Sequence, residues 1–308
     1  MTNQSITENT APFREWSTWY SLRGALSSPL TPLVVLHGGP GVAHDYLLAL
    51  EALAATGRPV IFYDQLGCGN STHLPEKGED FWTVELFLDE LDNLLGHLGI
   101  AERYHLLGQS WGGMLAAEHA TRQPAGLRSL VLSNSPASME LWMSEARRLR
   151  DALPPEQGAA LDRHEEAGTI ESEEYLAATQ YFYDRHVCRV IPNPPELLAS
   201  MEKVNLDPTV YHTMNGPNEF FCVGSLREWS IIDRLHLVSA PTLLASGRFD
   251  EATPATVQPY ADLIGDVRWE IFEASSHMPF VEENERYMKV VGDFLAQYDG
   301  VMSTASAS

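Results

Sequence analysis

Cysteine is scarce in this chain: Cys68, Cys188 and Cys222 are the only three in 308 residues, and they stand far apart with no paired spacing. A disulfide framework or a structural zinc site needs clustered or regularly spaced cysteines, so neither is expected, and the three read as reduced, buried thiols. Basic residues are scarce as well. Lys and Arg number 20 against 42 Asp and Glu, a formal net charge of -22. With no basic stripe to neutralise phosphates, nucleic acid and anionic membrane surfaces are disfavoured as partners. Solubility is the plain explanation of such an excess of acid, and a mild preference for cationic substrates the functional one. No apolar run approaches membrane-spanning length. Met1 to Pro12 is polar and lacks the basic patch and apolar core of a secretory signal, so the cytoplasm is the expected compartment. Neither histidines nor carboxylates cluster at metal-ligand spacing, which favours chemistry without a metal or other cofactor.

What is present is organised around Tyr104 to Ala120. The apolar run Tyr104-His105-Leu106-Leu107 meets Gly108-Gln109-Ser110-Trp111-Gly112-Gly113 and then a helix-forming segment. This spells strand, sharp turn, helix. A serine raised on a strained strand-to-helix turn needs small neighbours two residues before and after it, since a Cβ there would strike the flanking backbone. The helix beginning just after Ser110 adds a positive N-terminal dipole and free N–H groups, which favour charge developing on an attacked carbonyl oxygen. A five-residue G-x-S-x-G pattern also arises by chance, but the strand before it and the helix after it make Ser110 a candidate nucleophile.

Around that stretch the chain reads as alternating strands and helices. Phe13 to Arg23 is aromatic and alternating, as in an edge hairpin. Leu33-Val34-Val35-Leu36 is continuously apolar, as in a strand buried on both faces, and ends in His37-Gly38-Gly39-Pro40-Gly41, a loop whose backbone N–H groups can approach a ligand. The phosphate-cradle reading of that loop is weak, because no Gly-Lys-Ser/Thr ending or dinucleotide spacing follows. Val60 to Tyr63 is the next strand, and Asp64 to Ser71 a structural turn. A leucine stripe predicts a helix over Glu85 to Leu98 beside the nucleophile strand, and Leu127 to Leu132 another buried strand. From 137 to 236 the chain turns acidic, helical and proline-interrupted, which predicts a helical cap inserted in an α/β core of residues 1–136 and 237–300. The core resumes with strands at Thr242 to Ser246 and Val267 to Phe272 and a last helix over Glu285 to Tyr298; residues 301–308 are small and polar and are expected to be disordered. The fold class is therefore α/β, a mostly parallel sheet with helices on both faces.

A serine nucleophile needs a base, and the base an acid that holds its tautomer. Asp250 follows a late strand in a tight loop, and His277 lies in the loop after the last strand, so the order Ser110, Asp250, His277 places all three where loops at strand carboxyl ends converge. Eleven histidines make any one of them a poor choice by chance, and His277 is selected by position. His37 reads as a structural hydrogen-bonding partner, Asp233 as surface and Asp266 as a turn residue. A catalytically silent binding module would not need all three groups, and a dehalogenase would need aspartate at position 110.

At these residues the chain resembles the prolyl iminopeptidase family of α/β-hydrolases, through His37-Gly38-Gly39-Pro40-Gly41, Gly108-Gln109-Ser110-Trp111-Gly112-Gly113 and Gly247-Arg248-Phe249-Asp250. Within that family it is similar to L-proline amide hydrolases and to the tricorn-interacting aminopeptidase, through Met214 to Phe220, Asp250 to Pro254, Phe182 to His186 and Ser275 to Pro279. The resemblance implies hydrolysis of a small amino-acid amide or short peptide next to a free α-amino group, often that of proline. It implies an oxyanion hole of Gly39 and Trp111 backbone N–H groups, and two glutamates, Glu219 and Glu251, holding the amine. A general esterase would not need that pair. Trp111 itself is a departure: it matches iminopeptidases, whereas a small residue is expected there in an amide hydrolase, and the difference bears on the leaving group.

Overall fold

The structure, a computed structural model, describes residues 5–299. Eight strands form one sheet in the order β1-β2-β4-β3-β5-β6-β7-β8. β1 (Ile6–Phe13) and β2 (Trp16–Arg23) make an antiparallel hairpin at the edge. β3 (Leu33–Leu36), β4 (Val60–Tyr63), β5 (Tyr104–Gln109), β6 (Leu127–Ser133), β7 (Thr242–Gly247) and β8 (Val267–Phe272) pair in parallel with one another, and β2 joins β4 antiparallel. This is the α/β architecture that the alternation of strands and helices implies. The uninterrupted apolar strands are the central ones: every residue of β3, β4, β5 and β7 is buried, as expected where helices cover both faces of a parallel sheet.

One face packs on α1 (Val84–His97), α2 (Trp111–Thr121) and, near β7, α8 (Pro254–Leu263); the other packs on the 3-10 segment Asp45–Thr56 and on α10 (Asn284–Gln297). The α1 helix starts at a Thr83 cap whose side chain accepts from the Leu86 N–H, and its leucine stripe lies chiefly against α2 and β1. Between β6 and β7 come α3 (Met139–Asp151), α4 (Pro155–Ala167), α5 (Glu173–His186), α6 (Pro195–Leu206) and α7 (Thr209–Met214), with a small apolar core of their own around Phe182, Tyr175 and Leu161. A single strand-like bridge, Ser138 to Ser230, closes the base of that helical stretch. The short helix α9 (Pro279–Glu282) precedes α10.

The sequence reading names no element over the 3-10 segment Asp45–Thr56, and it differs from the structure at the hairpin and at α8 as well. The hairpin reaches back to Ile6, because its outer arm is exposed over Ile6 to Thr10 and so carries no apolar alternation to read. Helix α8 has no clear periodicity because Pro259 sits inside it. The expected disordered tail, 301–308, lies outside the described residues. Among those described, no helix is long and apolar enough to cross a membrane. The three cysteines are buried and unpaired.

One buried acid couples this fold to pH. Glu90, on α1, is fully buried and accepts hydrogen bonds from the Thr18 hydroxyl and, at 3.0 Å, from the Leu66 N–H. Burial pushes its carboxyl up to about 7, and the two donors offset that only in part. The unfolded chain thus releases this proton first as pH rises, and stability falls between the ordinary carboxylate range and about 7. Urea unfolding of Glu90→Gln against wild type is expected to show the variant gaining about 1–3 kcal/mol of relative stability between about pH 5 and about pH 8. A difference between the two proteins that does not change with pH would refute the assignment.

Candidate active site

The site forms where four parallel strands end side by side. β5 delivers Ser110, β6 delivers Asn134, β7 leads to Asp250, and β8 leads to His277; Gln109 pairs with Ser133, Ser133 with Ala245, and Gly247 with Phe272. Ser110 has φ 56° and ψ −126°, a left-handed conformation that a non-glycine residue adopts only when its surroundings over-determine it. The surroundings are backbone. A Cβ on Gly108 would lie 2.1 Å from the Gly112 carbonyl oxygen, and one on Gly112 would lie 2.1 Å from that of Leu36. The Ser110 N–H donates to Ser133 O at 3.0 Å, which ties the turn to the neighbouring strand.

The three residues singled out by chain order meet here. His277 Nδ1 lies 2.6 Å from Asp250 Oδ1, both residues are buried, and Ser110 and His277 line the same cavity. Asp250 is well supplied with donors: the Ala252 N–H reaches Oδ1 at 2.8 Å and Asn134 Nδ2 reaches Oδ2 at 2.6 Å. Burial works against a charged His277 imidazolium, yet the adjoining Asp250 carboxylate, with Glu219 and Glu282 behind it, outweighs burial and raises the histidine's basicity. A histidine so placed can take a proton from a serine hydroxyl and return it to a leaving group. The Gly39 and Trp111 N–H groups have no backbone acceptor among the described residues, and both residues line one small cavity with Ser110. His37, by contrast, is held neutral: burial lowers it to about 4, its Nε2 accepts from the Gln65 N–H at 3.0 Å, and its Nδ1 lies 2.9 Å from Gly38 O. It braces the loop. Asp233 and Asp266 are exposed and take no part.

The two glutamates converge on the same cavity from different parts of the chain. Glu219 follows α7, and Glu251 follows Asp250. Glu251 is 2% exposed, and neither of its carboxylate oxygens has a hydrogen-bond partner among the described residues. Its Oε1 is 3.8 Å from His277 Nε2. Burial, then the neighbouring carboxylates of Glu219 and Asp250, push its proton affinity well above the usual range. Glu219, half-buried, accepts from the Tyr211 hydroxyl at 2.6 Å, and burial raises it too against that donor. An unpaired buried carboxylate is costly, so this one marks a place for a donor or a cation.

Several contributors were not read from sequence. Tyr46 accepts from the Gly38 N–H at 2.7 Å and donates to Gln109, whose Nε2 donates to His277 O at 3.2 Å. Trp142 donates to Glu219 O at 2.7 Å and stands edge-on to the His277 ring. The Trp111 indole donates to Gln65 at 2.8 Å and is buried beside Phe87. Asn134 bonds Asp250 and, at 3.2 Å, Ser276 O, so one amide holds both the acid and the histidine loop; its φ of 53° is one that asparagine tolerates. The only sequence signal for it was a polar Ser-Asn-Ser-Pro stop after a buried strand. Asn134→Ala is expected to lower kcat by about ten- to a hundredfold, the worth of a hydrogen bond to a charged group. Freed of that donor, the Asp250 carboxylate turns more of its charge on the His277 imidazolium and the acid limb of the pH–rate profile moves to higher pH; an unshifted profile would reduce Asn134 to a purely structural role.

The α/β-hydrolase fold family model matches residues 31–284. Proline iminopeptidases of Lactobacillus delbrueckii subsp. lactis and of Clostridium botulinum are each 40% identical to this chain, over 96% of it and 99% of their own length. The crystal structure of the proline iminopeptidase of Mycobacterium smegmatis is 55% identical with a TM-score of 0.89, covering 95% of this chain and 99% of its own. That of the protein VinJ is 56% identical with a TM-score of 0.94 over the same shares. The full-length match to these relatives and the shared architecture place the chain in the α/β-hydrolase family and, within it, among the proline iminopeptidases.

Proposed function

We propose that the protein is a serine hydrolase of the amide bond that follows a free-amine residue, proline foremost, acting as an amino-acid amidase as well as on short peptides, with residues 137–236 as a cap over the site. The observation that carries this reading is Glu251, buried with both oxygens unpaired in the cavity that also holds Ser110 and His277. A free α-amino group has a pKa near 8 and is largely protonated at neutral pH, so it supplies the missing charge-assisted hydrogen bonds. Ser110 attacks the carbonyl carbon while His277 takes its proton and Asp250 steadies the imidazolium. The oxyanion is met by the N–H groups of Gly39 and Trp111 and by the N-terminus of α2. His277 then protonates the departing amine, the acyl-enzyme forms, and water repeats the sequence in reverse order of leaving groups. The ammonium stays between Glu219 and Glu251 throughout, which fixes how far the carbonyl lies from Ser110 and makes cleavage exo-acting.

Two measurements test the reading. Ser110→Ala is expected to keep the fold and lose several orders of magnitude in kcat; turnover within about tenfold of wild type would remove Ser110 from the mechanism. The second compares kcat/KM for prolinamide and N-acetylprolinamide. Acetylation removes the cation and leaves Glu251 desolvated and unpaired and Glu219 with only its Tyr211 donor, so wild type should prefer the free amine by about thirtyfold or more, at about 2–5 kcal/mol for a broken buried pair. Glu219→Gln and Glu251→Gln should each narrow that preference while still reacting with a small activated ester. Equal rates for the two substrates in wild type would sink the amine anchor.

A further inference from the structure

The core loop between β4 and α1 meets the proposed cap at His73. Its Nδ1 lies 2.5 Å from Asp207 Oδ2, and its Nε2 lies 3.0 Å from Gly69 O. A carboxylate and a carbonyl can only accept, so both ring nitrogens must donate, and only the imidazolium carries two N–H groups. Burial works against that charge, but the Gly69 carbonyl and the Asp207 carboxylate, with Asp64 farther off, outweigh it and raise the ring's basicity. A neutral ring has one N–H and keeps only one of the two bonds.

Asp207 is the corner between α6 and α7. Its other oxygen accepts from the Thr209 hydroxyl at 2.6 Å and from the Thr209 N–H at 3.2 Å, which fixes the first residue of α7. That helix reaches the site. Its Tyr211 hydroxyl donates to Glu219 Oε1 at 2.6 Å, and its Val210 packs on Gly67 and on Gly41 of the loop that carries Gly39. The middle of α6 is held separately, by Lys203 on Asp45 at 2.7 Å and by Ser200 Oγ, which accepts from the Tyr46 N–H at 3.0 Å; neither contact involves a histidine. Resting on the amine-anchor reading above, we propose that His73 is a positioning residue: its imidazolium latches the α6–α7 corner to the core and thereby holds Tyr211 and Glu219 where the substrate's ammonium binds. Because the folded ring keeps its proton more tightly than a free histidine does, the latch is complete below about pH 6.5 and is lost as pH rises beyond it.

The test measures KM for prolinamide from about pH 6 to about pH 9 in wild type and in His73→Ala, with the ratio of the two taken at each pH so that titration of the substrate's amine cancels. His73→Ala is expected to raise KM about two- to fivefold at about pH 6, the worth of a partly exposed ion pair, and to match wild type at about pH 9. Its kcat should move less than about twofold, since Ser110, Asp250 and His277 are untouched. Asp207→Asn, which still accepts from Thr209, should show the same rise and add nothing to His73→Ala in the double variant. NMR titration of the His73 ring in the free enzyme reads the latch without substrate, and Asp207→Asn should move it to lower pH. A KM ratio that stays constant across this range, or a His73 titration that Asp207→Asn leaves unmoved, overturns the proposal. The amine anchor stands in that event, because it fails only where wild type treats prolinamide and N-acetylprolinamide alike.

Discussion

The rest of the structure depends on how closely backbone approaches backbone beneath Ser110. Gly112 lies so close to the end of β3 that a Cβ would sit 2.1 Å from Leu36 O, and Gly247 so close to the β8 loop that one would sit 1.9 Å from Ser276 O. Side chains cannot intervene, so the strand ends, the first turn of α2 and the histidine loop are set by covalent geometry and hydrogen bonds. The left-handed Ser110 is a product of that closeness. Because the strain is carried by the scaffold and not by a mobile loop, the hydroxyl is presented without a conformational cost at the moment of reaction.

Above this rigid floor, carboxylates are treated in two opposite ways. Asp250 is buried but surrounded by donors: His277, the Ala252 N–H and Asn134. Glu251, the next residue, is equally buried and has none among the described residues. Neighbouring acids whose environments diverge so far take different parts: Asp250 bonds the protein's own histidine, and Glu251, in the function proposed above, is completed by the substrate's ammonium. The excess of acid over base across the chain, 42 against 20, reinforces the choice, since its field favours cations in the cleft.

The central strands were legible because burial on both faces leaves an unbroken apolar run, and β3, β4, β5 and β7 all show it. The elbow was legible because only glycine fits at 108 and 112, and both glycines are local to Ser110. Edge and proline-broken elements were harder. The outer arm of the hairpin is exposed and α8 contains Pro259, so neither carries a period. Side-chain networks were not legible at all: Tyr46, Gln109, Asn134 and Trp142 act through partners up to 168 residues away, and no local pattern encodes such a distance.

The sequence by itself determined the α/β alternation, the strained turn at Ser110, and the order in which serine, acid and histidine arrive, because each of these is written in propensity, glycine placement or chain order. Resemblance added Glu219 and Glu251 as a pair. It took the tertiary structure to decide that Glu251 has no hydrogen-bond partner among the described residues while Asp250 has three, and that Glu219 and Glu251 line one cavity with Ser110 and His277. Hydrogen-bond satisfaction and cavity shape depend on atoms brought together from remote segments, and desolvation, which sets the charge state of these acids, is a property of that assembled surrounding and not of any residue in it.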